Sequence, residues 1–283
     1  MVDRMGRRAI MQGAAGIGLA LSTGAEAREP ASESRRFASR FAGKTVLVTG
    51  GTSGIGQAGA ARIAAEGGTV AVTGLDTGRL DAARRDLPAG ATVLRNDAGD
   101  PSAIAPLVEA VRSMGGLDGL WLNAALAVVG PLEEVSAAEF ARVMAVNVRG
   151  PMLQLAALSP LLKAGASVVV TASSSAYEGA EATSLYGSAK GAAIAMVRSW
   201  ARQLAARQIR VNSLVPGPID TNFRRFLPDE TRRAFETTVV SAVPLRRMGR
   251  AEEAASVALF LLSDDSSYVT GSQYAVDGGM MMR

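Results

Sequence analysis

The sequence predicts a doubly wound α/β fold: a parallel sheet of about seven strands with helices on both faces. Three observations carry this. Short β-branched runs alternate with helical patterns from Lys44 to Val276. A glycine-rich turn, Gly50-Gly51-Thr52-Ser53-Gly54-Ile55-Gly56, separates the first strand from the first helix. Asn123, Ser173 and Pro216 each stand just past a predicted strand. With right-handed crossovers they converge on the rim formed by the carboxyl ends of the strands, where such sheets bind ligands.

Taken in order, residues 44–49 are the first strand and residues 57–66 the helix behind the glycine turn. Strand, glycine turn and helix is the context in which backbone approaches a dinucleotide pyrophosphate and a helix N-terminus faces its charge. The spacing is Gly-x-x-x-Gly-x-Gly, so Gly50, Gly54 and Gly56 are cofactor-binding candidates together with Thr52, Ser53 and Ile55. Residues 69–73 form a second strand. Asp76 follows about 20 residues after Gly56, where an acid meets the adenosine ribose; an N-cap for the next helix is the competing role. A third strand ends at Leu94, ahead of Asn96-Asp97-Ala98, and a fourth spans 117–122, ahead of Asn123-Ala124-Ala125. One long helix is expected over 136–162 and carries Asn147. Strand 166–172 delivers Ser173-Ser174-Ser175, and the helix after it extends to about Ala206. Strand 209–214 ends at Pro216-Gly217-Pro218; a helix at 251–262 and a strand at 273–276 close the chain. No linker or repeat divides residues 41–283, which read as one domain.

Cysteine and histidine are both absent. That removes disulfides, thiol chemistry, Cys/His zinc sites and every His-based triad, and no metal site is expected. Acid–base work falls to Tyr, Lys, Asp or Glu. Tyr186 and Lys190 stand four residues apart, on one helix face. Lys190 is one of three lysines among 30 basic residues, and Tyr186 one of four tyrosines. An ammonium that close favours the phenolate and is expected to lower the tyrosine pKa. Taken alone, Tyr-x-x-x-Lys marks no more than two residues on a helix; the surrounding chain decides its meaning.

Net charge is +4, and seven arginines against four acids in the first forty residues supply most of it. The rest is near neutral, so no nucleic-acid surface is expected. Within residues 1–40, Arg7-Arg8, a short apolar stretch over 9–21 and Ala25-Glu26-Ala27 have the three parts of an export signal, and the paired arginines resemble a twin-arginine signal. The apolar run is too short to span a membrane. Periplasmic export and a disordered extension on a cytoplasmic enzyme both stay open.

Residues 41–283 resemble the short-chain dehydrogenase/reductase family. The matching motifs, in order, are Thr49-Gly50-x-x-x-Gly54-Ile55-Gly56, Asp97, Asn123-Ala124-Ala125, Asn147, Ser173, Tyr186-x-x-x-Lys190, Pro216-Gly217-Pro218-Ile219-Asp220-Thr221 and Val269-Thr270-Gly271…Asp277-Gly278-Gly279. The resemblance implies a Rossmann-type fold and an NAD(P)-dependent oxidoreductase that moves a hydride between nicotinamide and a secondary alcohol or ketone. It makes Tyr186 the general acid/base, with Lys190 lowering its pKa and bonding the nicotinamide ribose. Ser173 orients the substrate oxygen, with Ser174 and Ser175 as neighbours, and Asn147 holds a water that links Lys190 to solvent. Asp97 and Ala98 lie at adenine, Asn123 and Ala124 line the cofactor, and Pro216, Gly217, Ile219 and Thr221 reach the carboxamide side. A homotetramer is implied, built on the Tyr186 helix, with its small face of Ala192, Ala193, Ala195 and Met196, and on the helix carrying Asn147. A non-catalytic nucleotide-binding sensor and a same-fold epimerase or dehydratase are the alternatives.

Two departures stand out. Ala125 replaces the usual glycine and adds a Cβ near the cofactor. Neither the arginine of NADP-preferring relatives after Gly74 nor the aspartate of NAD-preferring ones at Gly74 is present; those positions hold Leu75 and Gly74 itself. Without that arginine the 2′-phosphate has no bidentate partner, unless Arg79 reaches it, and NAD(H) is favoured. Trp121 and Trp200 read as packing residues. Residues 222–243, with Phe223, Phe226 and Phe235, read as a substrate lid suited to a partly apolar substrate.

Overall fold

The computed structural model describes residues 39–224 and 228–282. The expected extension and signal over 1–38, and Phe226 of the lid, lie outside the described residues; of Phe235 only the backbone is described. Strands β1 (Thr45–Val48), β2 (Thr69–Gly74), β3 (Thr92–Arg95), β4 (Leu117–Leu122), β5 (Leu162–Thr171), β6 (Arg210–Pro216) and β9 (Gln273–Val276) form one sheet in the order β3-β2-β1-β4-β5-β6-β9. Every pairing is parallel. β1 sits between β2 and β4, with Val48 opposite both Val72 and Trp121, so the strand order reverses there. That reversal opens a crevice above the carboxyl ends of the two strands. A separate two-residue pair joins β7 (Ile219–Asp220) to β8 (Gly249–Arg250).

Successive strand residues point to opposite faces, and here both faces are apolar because both are covered. On one face Leu47, Leu120 and Val168 pack with Leu107 of α3 (Ile104–Ser113), Leu155 of α5 (Gly150–Leu158) and Val197 of α7 (Ser184–Leu204). On the other, Val46, Val48, Trp121 and Val169 meet Ile63 of α1 (Gly54–Ala65) and Leu259 of α9 (Ala251–Leu262). No described helix is long and apolar enough to cross a membrane.

Three elements depart from the sequence reading. α1 begins at Gly54, three residues early, because Ser53 takes the extended N-cap conformation and Gly54-Ile55-Gly56 form the first turn. β5 begins at Leu162, which pairs with Leu117 across a register shift. The single helix expected over 136–162 is broken. α4 (Ala137–Met144), started by a Ser136–Glu139 capping box, passes into a π-helical turn at Ala145–Arg149 and then into α5. There the Gly150 N–H reaches back five residues to the Ala145 carbonyl. A Cβ on Gly150 would lie 2.2 Å from the Ala98 carbonyl oxygen, so the chain passes this loop at backbone contact distance.

Candidate active site

Gly50 (φ +64°) and Gly54 (φ +54°) occupy left-handed backbone that favours glycine. A Cβ on Gly56 would stand 2.6 Å from both the Asn123 carboxamide nitrogen and the Gly50 carbonyl oxygen. The turn is therefore a bare backbone cradle, and Ser53 makes no side-chain capping bond to the N–H groups of α1. This fits a pyrophosphate, which needs close backbone approach and unspent donors.

The cradle is tied to the neighbouring strand ends. Thr49 Oγ1 accepts from the Asn123 and Ala124 amides at 2.9 and 3.2 Å. Asn123 Nδ2 donates to the Gly50 carbonyl at 3.3 Å, while its Oδ1 accepts from Thr171 Oγ1 at 3.0 Å. Thr171 Oγ1 in turn accepts from Trp121 Nε1 at 2.9 Å. Thr221 packs against Gly54, whose added Cβ would lie 3.3 Å from the threonine side chain. Strand ends expected to converge on one rim do so.

Tyr186 and Lys190 lie on the first turns of α7, both buried, facing the end of β5. Ser173 stands beside the Tyr186 hydroxyl. Ser173 Oγ donates to Ser175 Oγ and accepts from the Ser175 amide, each at 3.2 Å. Lys190 Nζ donates to the Thr171 carbonyl at 2.8 Å and stands 5.6 Å from the Tyr186 ring centre. Burial pushes the Tyr186 phenol up from its ordinary value, with the neighbouring Ser173 hydroxyl pulling the other way. Burial also lowers the Lys190 ammonium, to about 7. The lowered phenol expected from the sequence is thus corrected: the ammonium bonds a backbone carbonyl, and desolvation disfavours both charged forms.

Asn147 sits in the π-helical turn, 2% exposed. Its Nδ2 donates to the Leu126 and Val143 carbonyls at 2.7 and 3.0 Å, and its Oδ1 accepts from the Leu126 amide at 3.4 Å. A side chain that bonds a carbonyl one turn back competes with the helix ladder, and π turns of this kind gather at functional sites. The carboxamide staples the broken helix to the loop after β4.

The remaining candidates hold structural bonds. Asp76 caps α2 (Thr77–Asp86), accepting from the Arg79 amide at 2.8 Å. Asp97 accepts from the Gly99 amide at 2.8 Å. The Pro216 carbonyl accepts from the Ser174 amide, and the Gly217 amide donates to the Val276 carbonyl. Ile219 is buried at the β7–β8 pair, and Thr52 is buried against Gly74, where a Cβ would lie 2.3 Å from the Thr52 hydroxyl oxygen. Sequence reading missed Thr171 and the polar end of Trp121; their signal was position, near the carboxyl ends of β4, which leads into Asn123, and of β5 beside it. Trp121 and Trp200 are buried, as packing residues. On α7, Ala193 and Met196 turn into the protein's own core while Ala195 is exposed, so half of its small face is already used.

A family model described as enoyl-(acyl carrier protein) reductase matches residues 50–281. A glucose 1-dehydrogenase of Gluconobacter oxydans is 36% identical over 254 residues, covering 87% of this chain and 95% of the relative. The crystal structure of a short-chain dehydrogenase/reductase from Brucella melitensis, described as glucose/ribitol dehydrogenase, superimposes with a TM-score of 0.80 at 34% identity. It covers 86% of this chain and 99% of its own. A blue fluorescent protein from a metagenomic library, solved in complex with NADPH, gives 0.79 at 33% identity, over 85% and 98%.

Proposed function

The chain belongs to the short-chain dehydrogenase/reductase family and is an NAD(P)-dependent oxidoreductase; from that premise we propose that it interconverts a partly apolar secondary alcohol and its ketone, with Tyr186 as acid/base. The observation that carries this reading is the buried Ser173–Tyr186–Lys190 cluster on the rim that also holds the glycine cradle. The nicotinamide, when bound, supplies or takes the hydride. Tyr186 gives its proton to the carbonyl oxygen in reduction and accepts the hydroxyl proton in oxidation. Ser173, beside that phenol, orients the same substrate oxygen. Lys190 supplies positive charge beside the phenol and contacts the nicotinamide ribose, and Asn147 holds the turn past which a water connects Lys190 to solvent. Gly50, Thr52, Ser53, Gly54, Ile55 and Gly56 take the pyrophosphate; Asp76, Asp97 and Ala98 line the adenosine; Asn123, Ala124, Pro216, Gly217, Ile219 and Thr221 line the nicotinamide.

Support for a partly apolar substrate comes from Phe223, half exposed with its ring 6.0 Å from that of Tyr186. Tyr177 and Met281 pack nearby on Ala172 and Ile194. NAD(H) is the preferred cofactor: Leu75 and Ser53 offer a 2′-phosphate no charge, and the Asp76 carboxylate held at the α2 cap would repel it. A homotetramer is supported by the exposed Phe140, Met152 and Leu153 on α4 and α5. Cleavage after Ala27, read by the mass of the mature protein, separates periplasmic export from a cytoplasmic enzyme.

The test is a panel of secondary alcohols and ketones followed by nicotinamide absorbance with each cofactor. A substrate turned over by the wild type and not by Tyr186→Phe supports the reading. Tight cofactor binding with no turnover across the panel would favour a nucleotide-binding sensor instead.

A further inference from the structure

We infer that Trp121 and Thr171 are positioning residues, which hold the Lys190 ammonium and the Asn123 carboxamide in fixed relation to the glycine cradle. The inference rests on the roles proposed above for Lys190 and Asn123. Thr171 serves both: its backbone carbonyl accepts from Lys190 Nζ at 2.8 Å and its hydroxyl donates to Asn123 Oδ1 at 3.0 Å.

The direction of these bonds originates at the indole. Trp Nε1–H can only donate, and in Trp121 it is buried with Thr171 Oγ1 as acceptor at 2.9 Å. The threonine hydroxyl has one hydrogen, which therefore goes to Asn123. An asparagine whose oxygen is thus occupied must turn its NH2 towards the Gly50 carbonyl, where it is found at 3.3 Å. A donor-only group on one side and the acceptor-only Gly50 carbonyl on the other together fix which way the Asn123 amide points at the cofactor cradle. With a non-donor ring at position 121, Thr171 Oγ1 could accept from a flipped Asn123. The amide oxygen would then face the Gly50 carbonyl oxygen, an unpaired and repulsive contact.

The indole is also seated on backbone. A Cβ on Gly59 of α1 would lie 2.2 Å from Trp121 Cζ3. The ring occupies space that any other residue at 59 would claim, so its N–H cannot swing away from Thr171 without displacing α1. A residue that only filled the core would need neither this slot nor a polar partner at the strand end.

Trp121→Phe and Thr171→Val keep most of the buried volume and remove the donor and the relay respectively. We expect each to raise the dissociation constant of NADH or NADPH, whichever the wild type binds more tightly, by about tenfold. Both variants keep the Thr171 carbonyl that Lys190 bonds but untie the strand end that carries it from Asn123, so each should also displace the low-pH limb of kcat/KM, and Thr171→Ser should restore both. The double variant should match the worse single, because both cut one chain of bonds. Wild-type cofactor affinity and pH profile in the two single variants, whatever their melting temperatures, would overturn the inference; so would full additivity in the double. Tyr186→Phe measured alongside separates the two readings. If it is inactive while the Trp121 and Thr171 variants behave as wild type, the positioning role alone fails; if it turns over normally, the functional reading fails and takes the inference with it.

Discussion

The glycine cradle meets Thr221 and Phe223 at the site, and it and the helix that follows them in the chain, α8 (Asp229–Ala242), are built on opposite plans. In the cradle every neighbour is at contact distance: a Cβ on Gly51, Gly56, Gly59 or Gly74 would lie 2.7, 2.6, 2.2 or 2.3 Å from its nearest atom. Side-chain hydrogen bonds cross from β1 to β4 and β5. In α8 the polar side chains bond within the helix. Thr237, Thr238 and Ser241 bond carbonyls of their own helix, and Arg232 pairs with Asp229 one turn away. The contrast separates two jobs. Hydride and proton must travel fixed distances, which needs a floor that cannot yield; choice of substrate needs a wall that can be re-cut without disturbing that floor.

The largest expected effect lies on the floor. Tyr186→Phe should lower kcat by about 10²–10⁴-fold, with cofactor affinity nearly intact in a calorimetric titration; an equal loss of binding would mean that Tyr186 is holding cofactor rather than moving a proton. Gly56→Ala comes next. Its methyl would collide with the Asn123 amide and the Gly50 carbonyl, and overpacking of this kind costs about 1–3 kcal/mol. Dinucleotide binding should be lost together with thermal stability.

The Lys190–Tyr186 pair offers a test by pH. Folding lowers the Lys190 pKa from 10.5 to about 7, so between those values the unfolded chain binds more protons than the folded one and stability rises with pH. Above about pH 10 the sign reverses, because folding raises the tyrosine pKa and the unfolded chain ionises first. Melting temperature without added nicotinamide should therefore climb from pH 7 towards pH 10 and then fall, and Lys190→Met should flatten the climb. On the wall, Phe223→Ala should change KM for the alcohol or ketone several-fold while leaving the dissociation constant for the cofactor alone. Asp76→Ala is the smallest: loss of the α2 cap costs about 1 kcal/mol, read as a lower melting temperature. If the NAD-to-NADP efficiency ratio also falls, the carboxylate acts on the ribose side as well as on the helix.

What the sequence made legible follows the same division. Short apolar runs placed β4 and β9 at the observed residues, and the strand ends with the Tyr-x-x-x-Lys spacing brought Asn123, Ser173, Tyr186 and Lys190 to one rim. Local chemistry was less visible where one side chain changes the backbone around it. Nothing in the pattern over 136–162 announces that Asn147 bonds Leu126 and opens the helix into a π turn, because that partner is 21 residues away. The Tyr186 pKa went the other way for a related reason: spacing sets the distance between two groups, whereas desolvation depends on everything packed around them. Trp121 was rightly read as core, but a hydrophobic residue's one polar atom takes its meaning from a neighbouring strand.

Gly74 and Thr52 have a consequence for how cofactor preference could change. The acid found in NAD-preferring relatives at this position cannot be installed at residue 74 first, since even its Cβ would fall 2.3 Å from the Thr52 hydroxyl oxygen. A smaller residue at 52 must come before it. Any route that alters ribose recognition through residue 74, in the laboratory or in descent, is thus an ordered pair of steps, with the silent one first.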